Sequence, residues 1–205
     1  MYENYNNDVT VKEDRTKAER REEDEFLDEV MKSKVMIRTV QFLKEQGVVS
    51  KSYTASQFRS LLKELWFDVY SRGQRILGSS GFEHVFLGEK KNGGVQGFHN
   101  WFYFYNQEQK NKINYLGHWE DRKLSDKGTG LAFTFKWGDE QKPYGSMLVG
   151  TSPQMELAVY TVCLMVREED KCPVSLGGEA ATVTTHVFNR PKGVRYIASA
   201  FIDWE

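Results

Sequence analysis

The order of the predicted elements assigns this chain to the α+β class. Helical patterns fill the first third of the sequence, short strand-like runs follow after Gly81, and one apolar helix interrupts those runs. Helices and strands that are segregated along a chain favour helices packed beside antiparallel sheets over a repeating βαβ unit. We therefore expect an N-terminal helical layer followed by antiparallel β-sheets with an inserted helix.

Three amphipathic segments make up the predicted helical layer. Glu13 to Lys32 places its apolar residues in an i, i+1, i+4, i+5 stripe, and Val35 to Gln46 continues the helical spacing. A third segment has a broader apolar face and begins after Thr54 or Ser56, either of which has the side-chain oxygen of a helix N-cap.

The rest of the chain is predicted to be mainly strands, because β-branched and aromatic residues form short runs bounded by Gly, Asn and Asp. The inserted helix runs from Met155 to Val166 after an N-cap and first turn at Ser152-Pro153. The turn Pro191-Lys192-Gly193 suits a hairpin between the last two strands. The six predicted strands are Phe82 to Leu87, Lys112 to Trp119, Leu131 to Trp137, Gly145 to Gly150, Thr182 to Asn189 and Arg195 to Asp203.

Composition bounds the class of protein. The 205 residues allow one compact domain or two small ones, and 40% apolar with 28% charged residues is a globular balance. The net charge of -1 provides no global field for a polyanion, so a nucleic acid would have to meet a local patch. No apolar run is long enough to span a bilayer. Met1 to Asp14 lacks a signal-peptide core, which leaves the compartment open between cytoplasm and secretion.

The two cysteines are too few for a multi-disulfide framework. Cys163 and Cys172 lie nine positions apart across a possible turn, which permits one bridge. We favour two buried thiols, because free cysteine packs as a small hydrophobic residue.

Two of the four histidines stand in related segments and are candidates for acid–base chemistry. His84 and His99 follow Gly-Phe-Glu and Gly-Phe, and the Gly-rich stretch from Gly88 to Gly97 predicts a hairpin that brings them together. A histidine pair can accept one proton and donate another near neutral pH. Zinc fits poorly, since no cysteine or third histidine stands at ligand spacing. Glu83 and Glu89 could orient an imidazole, bind a cation or face solvent.

Other polar and aromatic features have simpler interpretations. His118 and His186 are expected to be packing or surface residues, and the aromatic run Trp101 to Tyr105 is more typical of core than of base stacking. The charged run Glu19 to Glu25 predicts an exposed helix face. No nucleophile elbow, P-loop or dinucleotide fingerprint occurs, so we expect no nucleotide cofactor.

Two long motifs in order carry a family resemblance. With Gly-Phe-Glu-His-Val-Phe-Leu-Gly-Glu (81 to 89) and Gly-Phe-His-Asn-Trp (97 to 101), the chain resembles the EndoU endoribonucleases. The resemblance covers nearly the whole chain. It continues through Lys142-Pro-Tyr-Gly-Ser146, Gly150-Thr-Ser-Pro-Gln-Met-Glu156, Ser175-Leu-Gly-Gly178 and Tyr196-Ile-Ala-Ser-Ala-Phe201, and includes Glu22 to Asp28 and Leu61 to Ser71.

The resemblance implies a catalytic set of His84, His99 and Lys142. In family chemistry a base activates the ribose 2′-hydroxyl, which attacks the adjacent phosphorus, and an acid protonates the departing 5′-oxygen, leaving a 2′,3′-cyclic phosphate. We expect His99 to be the base and His84 the acid. The residue types fit independently, because the reaction needs a proton acceptor, a proton donor and a cation for the phosphorane charge.

The resemblance also implies residues that select the base. Ser146 and the Ser199-Ala-Phe201 segment correspond to the family positions, although the family pattern near the end is Thr-Ala-Tyr. Serine keeps the hydroxyl and phenylalanine keeps the stacking face, while the lost phenol oxygen predicts less stringent selection of uridine. The expected partner is single-stranded, uridine-containing RNA.

Some family members respond to Mn²⁺ or Ca²⁺, so either ion is expected as an activator outside the chemical step, with no cofactor within it. The candidate ligands are Glu22, Glu23, Asp24, Glu83 and Glu89. We expect one catalytic domain over 1–205, helical over 1–73 and mainly β over 81–205, monomeric and shortened at its N-terminus relative to the family. The alternative is a non-catalytic module on the same fold that binds RNA, a lipid headgroup or a protein.

Overall fold

In the computed structural model, which describes residues 5–189 and 195–204, three helices form the first layer. They are α1 (Lys17–Lys32), α2 (Lys34–Glu45) and α3 (Ala55–Phe67). Helix α1 begins four residues later than predicted, because Thr16 and Glu19 form a capping box there. Thr54, not Ser56, caps α3 in the same way, with Gln57 as its partner.

The apolar stripes of these helices meet in the core as their spacing predicts. The buried side chains include Leu27 and Val30 of α1, Met36 and Leu43 of α2, and Trp66 of α3. The indole nitrogen of Trp66 donates to Thr161 Oγ1 at 3.0 Å and so links this layer to the later inserted helix. Beyond α3, the hydroxyl of Tyr70 donates to the carbonyl of Ile197 at 2.8 Å in the last strand.

Strands make up two sheets. The first has the order β1-β2-β5-β4-β3, and the second is the antiparallel set β6-β7-β8. The prediction of antiparallel sheets is confirmed except for one parallel pairing of β2 with β5. The strands are β1 (Glu89–Lys91), β2 (Gly94–Gln96), β3 (Ile113–Lys123), β4 (Thr129–Trp137), β5 (Glu140–Val149), β6 (Lys171–Leu176), β7 (Glu179–Asn189) and β8 (Arg195–Asp203).

Two further helices and one π-helical turn complete the described elements. Helix α4 (Trp101–Gln109) takes the aromatic run 101–105, of which Tyr103 is buried whereas Phe102 and Tyr105 are exposed. The inserted helix, α5 (Pro153–Arg167), is capped by Ser152 with Pro153 at its first position, as predicted. No helix among the described residues is long and apolar enough to cross a membrane.

The predicted strand Phe82 to Leu87 is wrong, because residues 83–87 form a π-helical turn. His84 to Leu87 are all buried. A short, wholly buried run has neither the alternation of a half-buried strand nor the length that identifies a helix, so its sequence does not separate the two. The predicted turn Pro191-Lys192-Gly193 lies outside the described residues.

The expectation of two free thiols is also wrong, since Cys163 and Cys172 form a disulfide. The chain reverses after α5, where the amide of Asp170 donates to the carbonyl of Arg167 at 3.0 Å. This turn brings the two cysteine Cα atoms to 5.6 Å, within the range that a disulfide requires. The bridge therefore joins the end of α5 to the start of β6.

Candidate active site

A cleft of about 790 Å³ lies between the two sheets. Its first wall comes from β3, β4 and β5, and the opposite wall comes from β7 and β8. Six of the site residues predicted from the sequence line this cleft together: His84, His99, Lys142, Ser146, Ser199 and Phe201. Residues from four separate segments thus converge on one cavity.

The local backbone holds the two histidines side by side. The amides of Phe98 and His99 donate to the carbonyls of His84 and Val85 at 2.8 and 2.7 Å. Gly97, with φ of +60°, makes this approach possible, since a Cβ there would lie 1.8 Å from the His84 carbonyl oxygen. The π-helical turn and the segment before α4 therefore position both rings. π-helical turns are often found at functional sites.

The predicted hairpin between the histidines is confirmed. β1 and β2 pair antiparallel, with Glu89 opposite Gln96, and Asn92-Gly93 forms the turn with positive φ at both residues. Asn-Gly is the preferred sequence for such a turn.

His84 forms a hydrogen bond with a buried carboxyl group. Its Nδ1 lies 2.7 Å from Glu89 Oε2, so the ring donates to a carboxylate that is itself only 1% exposed. Arg72 approaches the same oxygen through Nε at 2.8 Å. Burial raises the pKa of Glu89 to about 7, while the guanidinium of Arg72 favours the anion. Burial, and then the positive charges of Arg72 and Lys142, lower the pKa of His84.

The environment of His99 is neutral. Its Nδ1 donates to the carbonyl oxygen of Ser146 at 2.8 Å, which leaves Nε2 as the unprotonated nitrogen of the neutral ring. Burial and the charge of Lys142 lower the pKa of His99, against the smaller effect of the Ser146 hydrogen bond. The ring stacks on Phe201 with centroids 5.3 Å apart and planes 19° from parallel.

A buried hydrogen-bond network lies beneath His99. The side chain of Asn100 caps α4 and also donates to Glu156 Oε2 at 3.3 Å. Thr151 Oγ1 lies 2.7 Å from Glu156 Oε1 and 3.0 Å from the carbonyl oxygen of Leu148. The hydroxyl has one proton for these two acceptors; when Leu148 accepts it, the carboxyl group of Glu156 must supply the proton of the other hydrogen bond. Burial raises the pKa of Glu156 to about 8, in agreement with a neutral acid at pH 7.

Lys142 is a buried cation at the cleft. Its side chain is about 8% exposed, and within residues 5–189 and 195–204 no carboxylate lies at ion-pair distance from its ammonium group. Burial lowers the pKa of Lys142 to about 8. A buried charge is costly unless an opposite charge accompanies it, so this position favours an anionic ligand.

The predicted metal ligands do not come together. Glu89 is buried against His84, Glu83 is half-buried beside a separate small cavity, and Glu23 binds Arg15 at 2.6 Å. Asp24 binds Arg59 and Lys63, while Glu22 lies on the same helix, α1. In the part of the chain that the structure describes, no group of three or more His, Cys, Asp or Glu side chains is arranged to hold a metal ion.

The remaining histidines differ in position. His118 is exposed on β3, where it contacts the hydroxyl of Tyr115 at 2.7 Å, away from the cleft. His186 is also exposed, but it lines the cleft and pairs with Glu169 at 3.0 Å. Sequence reasoning did not single out Arg72 either, because its contacts with Glu89 and the Ala198 carbonyl join residues far apart in the chain.

The fold and site define a class: an α+β protein with two buried histidines and a buried lysine at one cleft. The chain belongs to the XendoU endoribonuclease family, whose model matches residues 1–202. It is 40% identical to a bovine uridylate-specific endoribonuclease over 91% of this chain and 45% of that protein. It is 39% identical to uridylate-specific endoribonuclease EndoU of Drosophila melanogaster over 99% of this chain and 63% of that protein.

A solved structure is also similar. It is described as XendoU, a splicing-independent snoRNA-processing endoribonuclease, and it matches with a TM-score of 0.75 and 31% identity over 94% of this chain and 70% of that one. The prediction of an α+β, EndoU-like fold is thereby confirmed. The chain spans about half to two thirds of the length of the bovine and fly proteins.

Proposed function

We propose that this chain is an endoribonuclease that cleaves single-stranded RNA after uridylates and leaves a 2′,3′-cyclic phosphate. The observation that carries the proposal is the convergence of His84, His99 and Lys142 on one cleft, with a different partner on each Nδ1. Two relatives at about 40% identity, both named uridylate-specific endoribonucleases, support the same activity and the uridylate preference.

His99 is the base in this proposal. The Ser146 carbonyl holds the proton on Nδ1, so Nε2 takes the proton of the ribose 2′-hydroxyl. Burial keeps His99 neutral at pH 7 and therefore ready to accept. The 2′-oxygen then forms a bond to the adjacent phosphorus.

His84 is the acid. The carboxylate of Glu89 stabilises the imidazolium form, and a bound phosphate anion adds a second negative charge that raises the pKa of the ring. Nε2–H then gives its proton to the 5′-oxygen as the bond from phosphorus to that oxygen breaks. The proton taken by His99 and the proton lost from His84 balance, so the two rings exchange protonation states during one turnover.

Lys142 stabilises the charge that develops on the phosphorane oxygens. Its ammonium group is buried at the cleft without a carboxylate partner among the described residues, so a phosphate would supply the missing negative charge. DNA lacks the attacking 2′-hydroxyl and should remain intact.

Ser146, Ser199 and Phe201 contact the selected base. Ser199 and Phe201 lie on β8 opposite Ser146 across the cleft. One face of Phe201 packs on His99, so a uracil ring would meet its remaining exposed surface beside His186. We propose that this arrangement selects uridine with less stringency than a site that carries a tyrosine hydroxyl.

We propose that a divalent ion, where it activates, acts on RNA binding or folding and not on the transferred phosphate. The predicted acidic ligands are spread over α1, the π-helical turn and β1 and do not fit as one preformed set. No step of the proposed chemistry depends on such an ion.

The test uses a short RNA with a single uridine, together with the same RNA carrying 2′-deoxyuridine. Each is incubated with the protein in EDTA, Ca²⁺ or Mn²⁺, and the product ends are read by mass spectrometry. We expect a cyclic phosphate after uridine and an intact deoxyuridine substrate. RNA that is bound but never cleaved would contradict the proposal and favour the non-catalytic RNA-binding alternative.

A further inference from the structure

Two large aromatic side chains are exposed at the rim of the cleft. Trp119 is 49% exposed and Tyr144 is 80% exposed, and both belong to the cleft lining. Their rings lie 5.6 Å apart at an angle of 71°. Large aromatic rings left in water beside a cavity are typical of surfaces that bind a ligand.

Each of these rings is directed by a β-bulge. On β3, His118 and Glu120 pair with the consecutive residues Phe133 and Ala132, which leaves Trp119 as an extra residue. β-Bulges are frequent beside active sites because they redirect a side chain.

The second bulge lies on the neighbouring strand. Lys142 and Gly145 of β5 pair with Phe135 and Phe133 of β4, so the two residues Pro143 and Tyr144 oppose the single residue Thr134. Thr134 fixes this bulge by donating its hydroxyl to the Pro143 carbonyl at 2.7 Å. Two separate irregularities therefore place two aromatic rings in contact at one edge of the cleft.

The position of the pair relative to the proposed site indicates its ligand. Tyr144 lies on β5 midway between Lys142 and Ser146, while Ser199 and Phe201 lie on the opposite wall. The proposed base-selecting set is Ser146, Ser199 and Phe201, and Trp119 and Tyr144 are two further aromatic rings of the same cleft. The cleft volume of about 790 Å³ is near the upper end of the range for small-ligand pockets, about 300–1,000 Å³, which leaves room for more than one nucleotide.

We infer that Trp119 and Tyr144 form a stacking subsite for an unpaired base that flanks the selected uridine. This inference rests on the proposed function and extends it from one nucleotide to at least two. Stacking uses the face that all bases share, so the subsite favours an unpaired flanking nucleotide without strong preference for its identity. Pairing of that nucleotide in a duplex would remove it from the platform.

The experiment measures binding of an RNA that cannot be cleaved, with 2′-deoxyuridine as its single uridine. Abasic nucleotides replace each flanking position in turn, and dissociation constants are read by fluorescence anisotropy. We expect Trp119→Ala and Tyr144→Ala each to weaken binding by about 5-fold or more, from the typical contribution of one stacked base. Trp119→Phe should retain most of the affinity, because it keeps a ring.

The decisive result is whether the loss of affinity caused by an abasic nucleotide depends on the presence of Trp119. An abasic nucleotide at one flanking position should weaken binding to the wild type but have little further effect on Trp119→Ala. Tyr105→Ala is the matched control, since Tyr105 is 50% exposed on α4 and lies outside the cleft. Its binding and its abasic profile should match the wild type.

The inference would be overturned if both alanine variants bound the RNA with unchanged affinity. It would also be overturned if the substitution and every abasic nucleotide weakened binding independently of each other. Cleavage of the ordinary uridine RNA by the wild type is measured separately. Cleavage without coupling would reject the stacking subsite alone, whereas coupling without cleavage would reject the proposed function and leave the subsite standing.

Discussion

The surroundings of the two histidines differ although both rings are buried at the same cleft. His84 donates through Nδ1 to the carboxylate of Glu89, which is also held by Arg72. His99 donates through Nδ1 to a backbone carbonyl, and burial raises the pKa of Glu156, the acid beneath its segment, to about 8. A carboxylate stabilises an imidazolium, whereas a carbonyl mainly fixes the tautomer. Proton donation therefore suits His84 and proton acceptance suits His99.

Loss of either ring should have the largest effect. We expect His84→Ala and His99→Ala each to lower the single-turnover rate of RNA cleavage by at least about 10²-fold, the usual contribution of a general acid or base. His118→Ala is the matched control, because His118 is exposed away from the cleft and should be neutral. Near-normal rates in both cleft variants would refute the assignment.

The same Glu-to-Gln change at two buried acids sharpens the comparison. Glu89→Gln removes an anion that holds His84, so we expect a fall of about 10- to 100-fold in the cleavage rate, the value of a hydrogen bond to a charged group. Glu156→Gln keeps a neutral group of the same shape and should change the rate by less than about 3-fold at pH 7. Equal losses in the two variants would show that the charge on Glu89 is not the deciding feature.

The pH profile should reflect the buried lysine. Because burial lowers the pKa of Lys142 to about 8, the cation is present below that pH and lost above it. Single-turnover rates should therefore fall as the pH rises through about 8. Lys142→Arg should be slower, since the two side chains hold phosphate differently, but its charge persists and its rate should not fall near pH 8.

On the acid side of the same profile, burial lowers the pKa of His99, so the base stays neutral to below pH 6.5. Burial raises the pKa of Glu89 to about 7, so its anion is lost as the pH falls through that value, and we expect the rate to decline below about pH 7 before His99 itself is protonated. An alkaline limb that Lys142→Arg leaves in place would assign that limb to another group.

The disulfide should affect stability and leave the chemistry alone. Replacing Cys163 and Cys172 together by alanine removes a bridge across nine positions, for which chain entropy predicts a loss of about 2–3 kcal/mol in the free energy of unfolding. Urea unfolding measures this loss, and the RNA cleavage rate should be unchanged. A double variant as stable as the wild type would show that the bridge contributes little beyond packing.

Much of the helical layer is predictable from local signals. The stripes of α1 to α3 and the cap at Thr54 follow from spacing and from side-chain oxygens that reach nearby amides. The π-helical turn that holds His84 is not predictable in this way, because a short buried run shows neither the helical nor the strand periodicity of apolar residues. The disulfide was also missed, since it depends on a chain reversal after α5 that the cysteine spacing merely permits.

The candidate site, like the fold, was predictable from the sequence only in part. Motif resemblance identified His84, His99 and Lys142, and the structure brings all three to one cleft. The motif resemblance did not assign a role to Arg72, because its partners are Glu89, 17 positions onward, and Ala198 in β8. It did not assign a role to Trp119 or Tyr144 either, because the directions of their side chains depend on β-bulges. Contacts between distant segments and irregular strand pairing are absent from local sequence patterns.

The most direct test of the two histidine roles compares RNA with a uridine 3′-phosphodiester whose leaving group is p-nitrophenolate. Such a leaving group departs without a proton, so it needs the base but not the acid. We expect His84→Ala to recover most of its rate on this substrate, while His99→Ala stays at least about 10²-fold slow on both. Recovery by His99→Ala instead of His84→Ala would contradict the assignment and exchange the two roles.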